Sequence, residues 1–308
     1  MKVSFVIVNH NTTEILKDSV DSIYRFEKIP FEVIILNNTD EEYNVDLDAL
    51  GGSFSNIKII YLRKNLSYSA ANNLGIKESS GEYVIIMNPD VIFTSPVTEK
   101  LISVMQSDSS IGAICPALIS SNGNFQRNYF QRFPTIRQFI FYYSFLAGLF
   151  NKSAVRMNRY LENQEIDISS DRLFEVEQIP CAFFMTRKKI LEEVNFMDEK
   201  FRLFFEDVDL SYRIGRKYKL VIDTSVKVTH LGGESFKFAD NWILHGLFIS
   251  SMLYFFQKHY GKIRTFLLKS LVTLNSYITL LAEYILTGDT DSYRFKKHRQ
   301  LLKLMREI

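Results

Sequence analysis

The feature that most constrains the fold is a series of short apolar runs in the first 90 residues. Each run ends in polar residues, and segments with helical spacing of their apolar residues lie between the runs. Strands that alternate with helices predict a parallel, doubly wound sheet with helices on both faces. Ligands bind such sheets at the carboxyl ends of the strands. The predicted strands are residues 3–8, 32–36, 57–62 and 82–87.

Amide and carboxylate side chains follow these predicted strands. Asn and Asp also favour ordinary turns, which would account for some of them singly. Turn formation explains less well why they recur where the strands end, and their chemistry suits a nucleotide and a metal ion. The candidate residues are Asn9, Asn11, Asn37, Asn38, Asn65, Asn88 and Asp90.

Composition excludes several classes of protein. Lys and Arg total 37 against 35 for Asp and Glu, a net charge of +2, so there is no overall attraction to nucleic acid. The two cysteines, Cys115 and Cys181, are too few for a disulfide framework or a zinc site, and they lie in apolar runs. The first apolar run is too short for a signal peptide. These features predict a cytoplasmic protein.

The chain changes character beyond about residue 238, where long helical segments and a basic tail begin. We therefore predict an α/β domain over residues 1–237 and a helical appendage over residues 238–308. The most apolar segment is interrupted by Lys269, Asn275 and Glu283, which argues against a transmembrane span. A helix lying on the inner face of the membrane is the favoured interpretation. A helix pair that only covers the sheet is the alternative.

Three carboxylates follow two phenylalanines at the start of a predicted helix. The helix dipole favours acids at this position, and Asp209 can simply pair with Arg213 one turn later. Glu206 and Asp207 come directly after the aromatic pair, so at least one of them should be held partly out of water. Burial tunes the pKa of a carboxyl group for proton transfer. These two residues are the candidates for acid–base chemistry.

Two further residues are candidate ligands of a divalent cation. Asp90 follows the fourth strand in the sequence Asn-Pro-Asp, which is also a common turn. One carboxylate together with diphosphate oxygens is a common way to hold Mg²⁺ or Mn²⁺. His230 ends another apolar run, before Gly232 and Gly233, and would complete the site, although a lone histidine is more often structural. The glycines would let backbone amides approach a phosphate.

The chain resembles family-2 glycosyltransferases of the GT-A fold, particularly their rhamnosyltransferase-like branch, over about residues 3–260. The motifs that carry the resemblance are SFVIVNHNT, EVIILNNTD, NLSYSAANNLGI, GEYVIIMNPDV, PCAFFMTRKKILEEVNFMDEKFRLFFEDVDLSYRI and THLGGES. The resemblance implies a Rossmann-like, mostly parallel central sheet. It also implies that Asn88 and Asp90 bind the metal and the nucleotide diphosphate, that His230 is a metal ligand, and that the pair Glu206 and Asp207 holds the base.

The sequence departs from the family pattern at three positions. Asn37 stands where an acid usually accepts a hydrogen bond from the nucleobase, and an amide oxygen can still accept from the N3–H of uracil or thymine. Asn88 replaces an aspartate in the metal motif. Ser67 replaces a glycine, which suggests a different phosphate or ribose wall. Asn73, in the third motif, is also assigned to the donor site.

The resemblance implies an inverting transfer of a sugar from a nucleotide diphosphate onto a hydroxyl of a glycan or lipid-linked glycan. We assign the general base to Asp207, with Glu206 as the alternative, and charge neutralisation to Mg²⁺ or Mn²⁺ held by Asp90 and His230. The first expectation for the donor is dTDP-rhamnose, with UDP-hexoses open. Two other functions are considered: a sugar nucleotidyltransferase, and a non-catalytic membrane-associated scaffold.

Overall fold

The structure is a computed structural model that describes residues 2–39, 47–129, 132–143, 166–232 and 241–307. Its contacts divide the chain into two compact units. The first comprises Met1–Arg132, Glu162–Lys200 and Glu206–Lys237, and the second Phe133–Leu161, Phe201–Phe205 and Phe238–Ile308. The division predicted between residues 237 and 238 lies outside the described residues and stays a prediction.

The first unit contains a nine-stranded sheet with the order β3-β2-β1-β4-β8-β6-β9-β5, in which β7 also pairs with β9. Its strands are β1 Val3–Asn9, β2 Phe31–Asn37, β3 Ile57–Tyr61, β4 Tyr83–Met87, β5 Val91–Phe93, β6 Ile111–Ile119, β7 Leu173–Val176, β8 Phe183–Arg187 and β9 Lys219–His230. The helices of this unit are α1 Thr13–Phe26, α2 Asp48–Ser53, α3 Tyr68–Glu78, α4 Thr98–Ser107, α6 Lys188–Glu193 and α7 Glu206–Ile214.

The half of the sheet formed by β1 to β4 is parallel, as predicted. β1 pairs in parallel with both β2 and β4, and β2 pairs in parallel with β3. Every residue of β1 and of β4 is buried, which explains why these strands are continuous apolar runs rather than alternating ones. Helix α3 lies close to β1 and β2 at Gly75, where an added Cβ atom would come within 2.5 Å of Val6.

The other half of the sheet is mixed, and the prediction of a mostly parallel sheet did not specify which of its strands run antiparallel. β8 runs antiparallel to β4 and β6, and β9 is antiparallel to β5 and β7. Only the pairing of β6 with β9 is parallel there. The reason is that a short buried apolar run fits either direction, so its sequence predicts a strand without predicting its orientation.

The second unit is helical, with α5 Ile136–Tyr143, α8 Asn241–His259, α9 Gly261–Thr287 and α10 Tyr293–Glu307. Helix α9 buries polar as well as apolar residues, the apolar ones being Leu268 and Val272. Its buried residues include Asn275, Ser276 and Thr279, and Ser276 lies 3.1 Å from Nδ1 of His298 on α10. The outward positions instead carry large apolar side chains: Ile263, Phe266, Leu267, Leu274, Tyr277, Leu281, Tyr284, Ile285 and Leu286.

Candidate active site

The first candidates lie at the carboxyl ends of β1 and β2 and form a buried polar cluster. Asn9 donates to Oδ1 of Asn37 at 3.0 Å, and the hydroxyl of Thr39 donates to the same oxygen at 2.8 Å. Both lone pairs of that oxygen are therefore in use, so accepting from a nucleobase N3–H would require one of them to be released. Asn11 adopts a left-handed backbone (φ 57°), and its N–H donates to Thr39 at 3.4 Å.

Asn38 fastens the loop before α3 to the end of β2. Its side chain exchanges two hydrogen bonds with the backbone of Leu66, at 2.8 and 2.9 Å. Asn65, a predicted donor-binding residue, directly precedes Leu66 in the chain and is exposed. Ser67 is the N-cap of α3, where its side chain accepts from the N–H of Ala70 at 3.2 Å. The hydroxyl therefore has a structural partner, and its place in a phosphate or ribose wall stays a prediction.

Asn73 was predicted to bind the donor, which stays a prediction, and in the structure its side chain holds a loop. Its amide nitrogen donates to the carbonyl of Met197 and to Glu199, both at 2.9 Å, and its oxygen accepts from the N–H of Met197 at 3.0 Å. The side chain is buried. Asn73 therefore ties the loop after α6 to α3, and its position within a motif did not reveal which way it faces.

Asp90 and His230 come together because β5 and β9 pair antiparallel, with Val91 opposite His230. Both side chains are buried, and Nε2 of His230 lies 3.4 Å from Oδ1 of Asp90. The second oxygen of Asp90 accepts from the N–H of Gly232 at 2.9 Å. That amide was expected to approach a phosphate, and it orients Asp90 instead. Gly233 lies outside the described residues.

Asn88 joins this pair to a tyrosine that the sequence did not reveal. Its amide nitrogen lies 3.4 Å from Nε2 of His230, and its oxygen accepts from the hydroxyl of Tyr68 at 3.1 Å. The same hydroxyl lies 3.3 Å from the carbonyl oxygen of Cys181. Tyr68 stands at the first position of α3, where its spacing gave no reason to distinguish it from a packing residue.

Glu206, which is buried, and Asp207, which is partly buried, form a carboxylate pair at the start of α7. Burial, with a smaller contribution from Asp207, raises the pKa of Glu206 to about 8. One carboxylate oxygen of Glu206 is buried without a hydrogen-bond partner. Burial also raises the pKa of Asp207, although its carboxylate accepts from the N–H of Val208 at 2.8 Å. Two like charges in a dry site favour a shared proton, so the pair titrates as a unit.

Asp209, the third acid of this motif, is structural. It is fully buried and accepts a hydrogen bond from Nε of Arg213, one helical turn later, at 2.7 Å. Arg213 also donates to the carbonyl of Val194 at 2.5 Å. The ion pair anchors α7, which leaves the two preceding acids for chemistry.

Electrostatic effects connect the carboxylate pair with the Asp90–His230 pair. Burial raises the pKa of Tyr129, and the charges of Asp90 and Asp207 raise it further. The ring of Tyr129 lies 5.3 Å from that of His230. Burial likewise raises the pKa of Tyr68, with contributions from Cys181, Glu206 and Asp207. The candidate site therefore unites Asn88, Asp90, His230, Glu206 and Asp207, whereas Asn73 is engaged elsewhere.

The donor set of Asp90 and His230 fits a divalent cation. A carboxylate oxygen and an imidazole nitrogen 3.4 Å apart are both ligand types that Mg²⁺ or Mn²⁺ accepts. Within the described ranges, no three His, Cys, Asp or Glu side chains are grouped closely enough to hold a metal ion by themselves. Oxygens of a bound diphosphate and water would have to supply the remaining ligands.

Two solved structures illustrate the similarity of the fold to known proteins. GalNAc-T7, crystallised with UDP, GalNAc and Mn²⁺, superposes with a TM-score of 0.58 at 14% identity, over 99% of this chain and 54% of that one. Staphylococcus aureus TarS, residues 1–349, gives a TM-score of 0.52 at 12% identity, over 99% and 80% of the two chains. At this identity the likeness shows the fold, an α/β sheet of the GT-A type with flanking helices.

The sequence model of Glycosyl transferase family 2 matches residues 4–209. The chain therefore belongs to glycosyltransferase family 2. Among curated relatives, it is 38% identical over 101 residues to the uncharacterized glycosyltransferase YwdF of Bacillus subtilis, covering 33% of this chain and 37% of the relative. It is 22% identical over 224 residues to the dolichol-phosphate mannosyltransferase of Pyrococcus furiosus, covering 72% and 55%.

The chain is also 24% identical over 112 residues to the poly-beta-1,6-N-acetyl-D-glucosamine synthase of Staphylococcus epidermidis, covering 36% of this chain and 27% of the relative. These three alignments span between 27% and 55% of the relatives' own lengths. Family membership is confirmed, and the rhamnosyltransferase-like branch stays a prediction.

The raised pKa of Glu206 predicts a distinctive pH dependence of stability. A carboxyl group whose pKa rises from 4.5 in the unfolded chain to about 8 in the folded protein stabilises the fold fully below pH 4.5. That contribution is lost as the pH rises through about 8. The melting temperature of the native protein should therefore fall, relative to that of Glu206→Gln, between pH 5 and pH 9.

Differential scanning calorimetry in metal-free buffer measures this difference. Glu175→Gln, on the exposed surface of β7, is the matched control, and its melting curve should follow that of the native protein at every pH. A constant offset between the native protein and Glu206→Gln would show that Glu206 has the same pKa in the folded and unfolded states.

Proposed function

We propose that this chain is an inverting glycosyltransferase that moves a sugar from a nucleotide diphosphate onto a hydroxyl of a glycan or lipid-linked glycan in cell-surface polysaccharide synthesis. The observation that carries the proposal concerns Tyr129. Besides burial, the charges of Asp90 and of Asp207, a member of the carboxylate pair, both raise the pKa of Tyr129. Asp90 also lies beside His230. Family membership favours this function over a sugar nucleotidyltransferase. A scaffold would have no use for two acids held out of water.

Asp207 is the better general base of the two. Glu206 is the more deeply buried and has a pKa of about 8, so it carries the proton of the pair at neutral pH. Asp207, which is only partly buried, is then the ionised member. It takes the proton of the acceptor hydroxyl as that oxygen bonds to the anomeric carbon and the bond to the diphosphate breaks. A single displacement of this kind inverts the anomeric configuration and needs no covalent intermediate.

Asp90 and His230 are proposed to stabilise the leaving group, which is the nucleotide diphosphate. A bound Mg²⁺ or Mn²⁺ would neutralise the charge that develops on the diphosphate. Asp90 is pre-oriented by the N–H of Gly232, and Asn88 is pre-oriented by Tyr68. Because these supporting hydrogen bonds fix the side chains before substrate arrives, little reorganisation is needed during transfer.

The donor is proposed to be dTDP-rhamnose, with UDP-hexoses as the alternative. The proposal rests on the likeness of residues 117–135 to the acceptor side of rhamnosyltransferases. Thymine and uracil both present an N3–H donor, and the oxygen of Asn37 already accepts two hydrogen bonds. The carboxyl end of β2 therefore does not distinguish thymine from uracil. A thermal-shift panel of nucleotide sugars with Mn²⁺ would rank the donors, because a donor that binds more tightly raises the melting temperature further by mass action.

Helix α9 is proposed to rest on the inner face of the membrane. Among the helices that the structure describes, it is the one long and apolar enough to cross a bilayer, and 28% of its most apolar 18-residue window is buried. Its polar residues Asn275 and Ser276 are buried. Several of its large apolar residues, among them Leu281, are exposed, which is unusual for a helix that faces water. Exposed cations of α10, among them Arg299 and Lys303, suit anionic headgroups.

Asp207→Asn should lower kcat by about 10² to 10⁴, because the amide keeps the shape of the side chain and cannot accept a proton. Donor affinity should be nearly unchanged, and Glu206→Gln should cost less. Steady-state kinetics with saturating donor and acceptor measure both effects, with Asp108→Asn on the surface as control. A raised acceptor KM with preserved kcat, or a larger loss in Glu206→Gln, would place the base elsewhere.

Asp90→Ala should weaken nucleotide diphosphate binding in the presence of Mn²⁺ by about tenfold or more, that is, by at least about 1.4 kcal/mol. The reason is that a cation bridging the phosphates loses its carboxylate anchor. Calorimetric titration with UDP and dTDP, with and without Mn²⁺, measures this, and Asp108→Ala is the matched control. Full transferase activity in EDTA would refute the metal assignment.

The native protein should float with anionic vesicles, and the double variant Leu274→Lys/Leu281→Lys should not, because each lysine places a charge on the apolar face of α9. Leu173→Lys is the matched control, since Leu173 is 50% exposed on β7 and Leu274 is 56% exposed. Flotation that the double variant leaves unchanged would show that α9 does not contact the bilayer.

A further inference from the structure

Gln126 makes two hydrogen bonds to a single residue, His230. Its amide nitrogen donates to the carbonyl oxygen of His230 at 2.9 Å, and its amide oxygen lies 2.8 Å from Nδ1 of the same histidine. A backbone carbonyl can only accept, so the nitrogen of the amide must face it. The amide oxygen must then face the ring, and because that oxygen also only accepts, Nδ1 must carry a proton.

The proton on Nδ1 determines the state of the other ring nitrogen of His230, Nε2. A neutral imidazole carries one proton, so Nε2 presents a lone pair. That lone pair lies 3.4 Å from a carboxylate oxygen of Asp90 and 3.4 Å from the amide nitrogen of Asn88. The amide nitrogen of Asn88 is a donor, so its N–H faces the lone pair. The lone pair and the Asp90 oxygen are both electron-rich, and together they favour a cation that takes the place of this N–H contact. Without Gln126, the proton could move to Nε2 and form a hydrogen bond to Asp90 instead.

The sheet itself holds Gln126 in place. Phe125 forms a bridge to Ile119 at the end of β6, and the N–H of Gln126 donates to the carbonyl of Leu118 at 3.0 Å. Leu118 in turn pairs with Val228 of β9, the strand that carries His230. Two neighbouring strands therefore set the distance between the amide and the imidazole.

We propose that Gln126 is a positioning residue that fixes His230 as the Nδ1–H tautomer, so that Nε2 keeps a lone pair that can bind the divalent cation. This proposal rests on the metal-binding role of His230. Partners of this kind set ring orientation and tautomer at known metal sites, and their loss typically costs about 10- to 100-fold in metal affinity.

The tautomer can be measured without any metal. Proteins labelled with ¹⁵N in the histidine rings, including His230→Asn to assign the signals, report which ring nitrogen carries the proton. The native protein and Gln126→Glu, which keeps the acceptor, should show His230 protonated at Nδ1. Gln126→Met should shift the proton to Nε2. An unchanged His230 signal in Gln126→Met would overturn the proposal.

Mn²⁺ binding, measured by electron paramagnetic resonance in the presence of UDP, tests the consequence. Gln126→Met should weaken binding about 10- to 100-fold, and Gln126→Glu should stay within a few fold of the native protein. If Gln126 acted only by donating a hydrogen bond to the His230 carbonyl, both variants should bind Mn²⁺ more weakly, because neither keeps the amide N–H donor. Gln178→Met, which removes an amide that bonds to the carbonyl of Arg132, is the control and should bind as the native protein does.

His230→Ala separates this proposal from the proposed function. If His230→Ala weakens Mn²⁺ binding and Gln126→Met does not, the positioning role is wrong while the metal site stands. If His230→Ala binds Mn²⁺ as the native protein does, the metal assignment itself is wrong, and the role of Gln126 toward a metal falls with it.

Discussion

The pairing of β5 with β9 is the interaction on which the candidate site depends. Asp90 precedes β5 and His230 ends β9, and the two residues are far apart in the sequence. The antiparallel ladder sets Val91 against His230, and it continues with the N–H of Leu231 donating to the carbonyl of Asp90 at 3.1 Å. Backbone hydrogen bonds thus fix the separation of the two side chains, and the hydrogen bonds from Gly232 and Gln126 fix their rotation.

The site is built at a cost to stability. Glu206 is buried with one oxygen unpartnered, and Phe204 and Phe205 before it both have φ near 65°. Left-handed backbone at a non-glycine residue costs on the order of 1–3 kcal/mol, and an unsatisfied buried polar group costs a similar amount. In the second unit, the rings of these phenylalanines pack against Phe248, at 5.8 and 5.2 Å between centroids. Aromatic packing therefore helps to offset the strain directly before the acids.

Much of the fold and part of the site could be predicted from the sequence. The strands β1 to β4 were predictable because a buried parallel strand leaves a continuous apolar run. Asp90 and Asp207 were identifiable because a polar residue directly after such a run, or after an aromatic pair at a helix start, is unusual. Strand direction in the second half of the sheet was not predictable, since pairing partners are set by the tertiary structure.

Side-chain orientation accounts for most of what the sequence could not reveal. Asn73 stands one residue after Asn72 in the same motif, and only the structure shows that its amide is occupied by Met197. The hydrogen bonds that Gln126 makes to His230 and Tyr68 makes to Asn88 leave no periodic pattern in the sequence. The sequence of α9 shows an apolar helix with polar interruptions, and it does not show that Asn275, Ser276 and Thr279 are buried.

The metal site proposed at Asp90 and His230 would have few protein ligands, and this would have a thermodynamic consequence. A cation that receives most of its ligands from a diphosphate is held weakly before the nucleotide arrives and firmly afterwards. By reciprocity, the cation must raise the affinity for the nucleotide by the same factor as the nucleotide raises the affinity for the cation. The free concentration of the ion in the cell would then set how long the spent nucleotide stays bound, so metal supply would govern product release as well as chemistry.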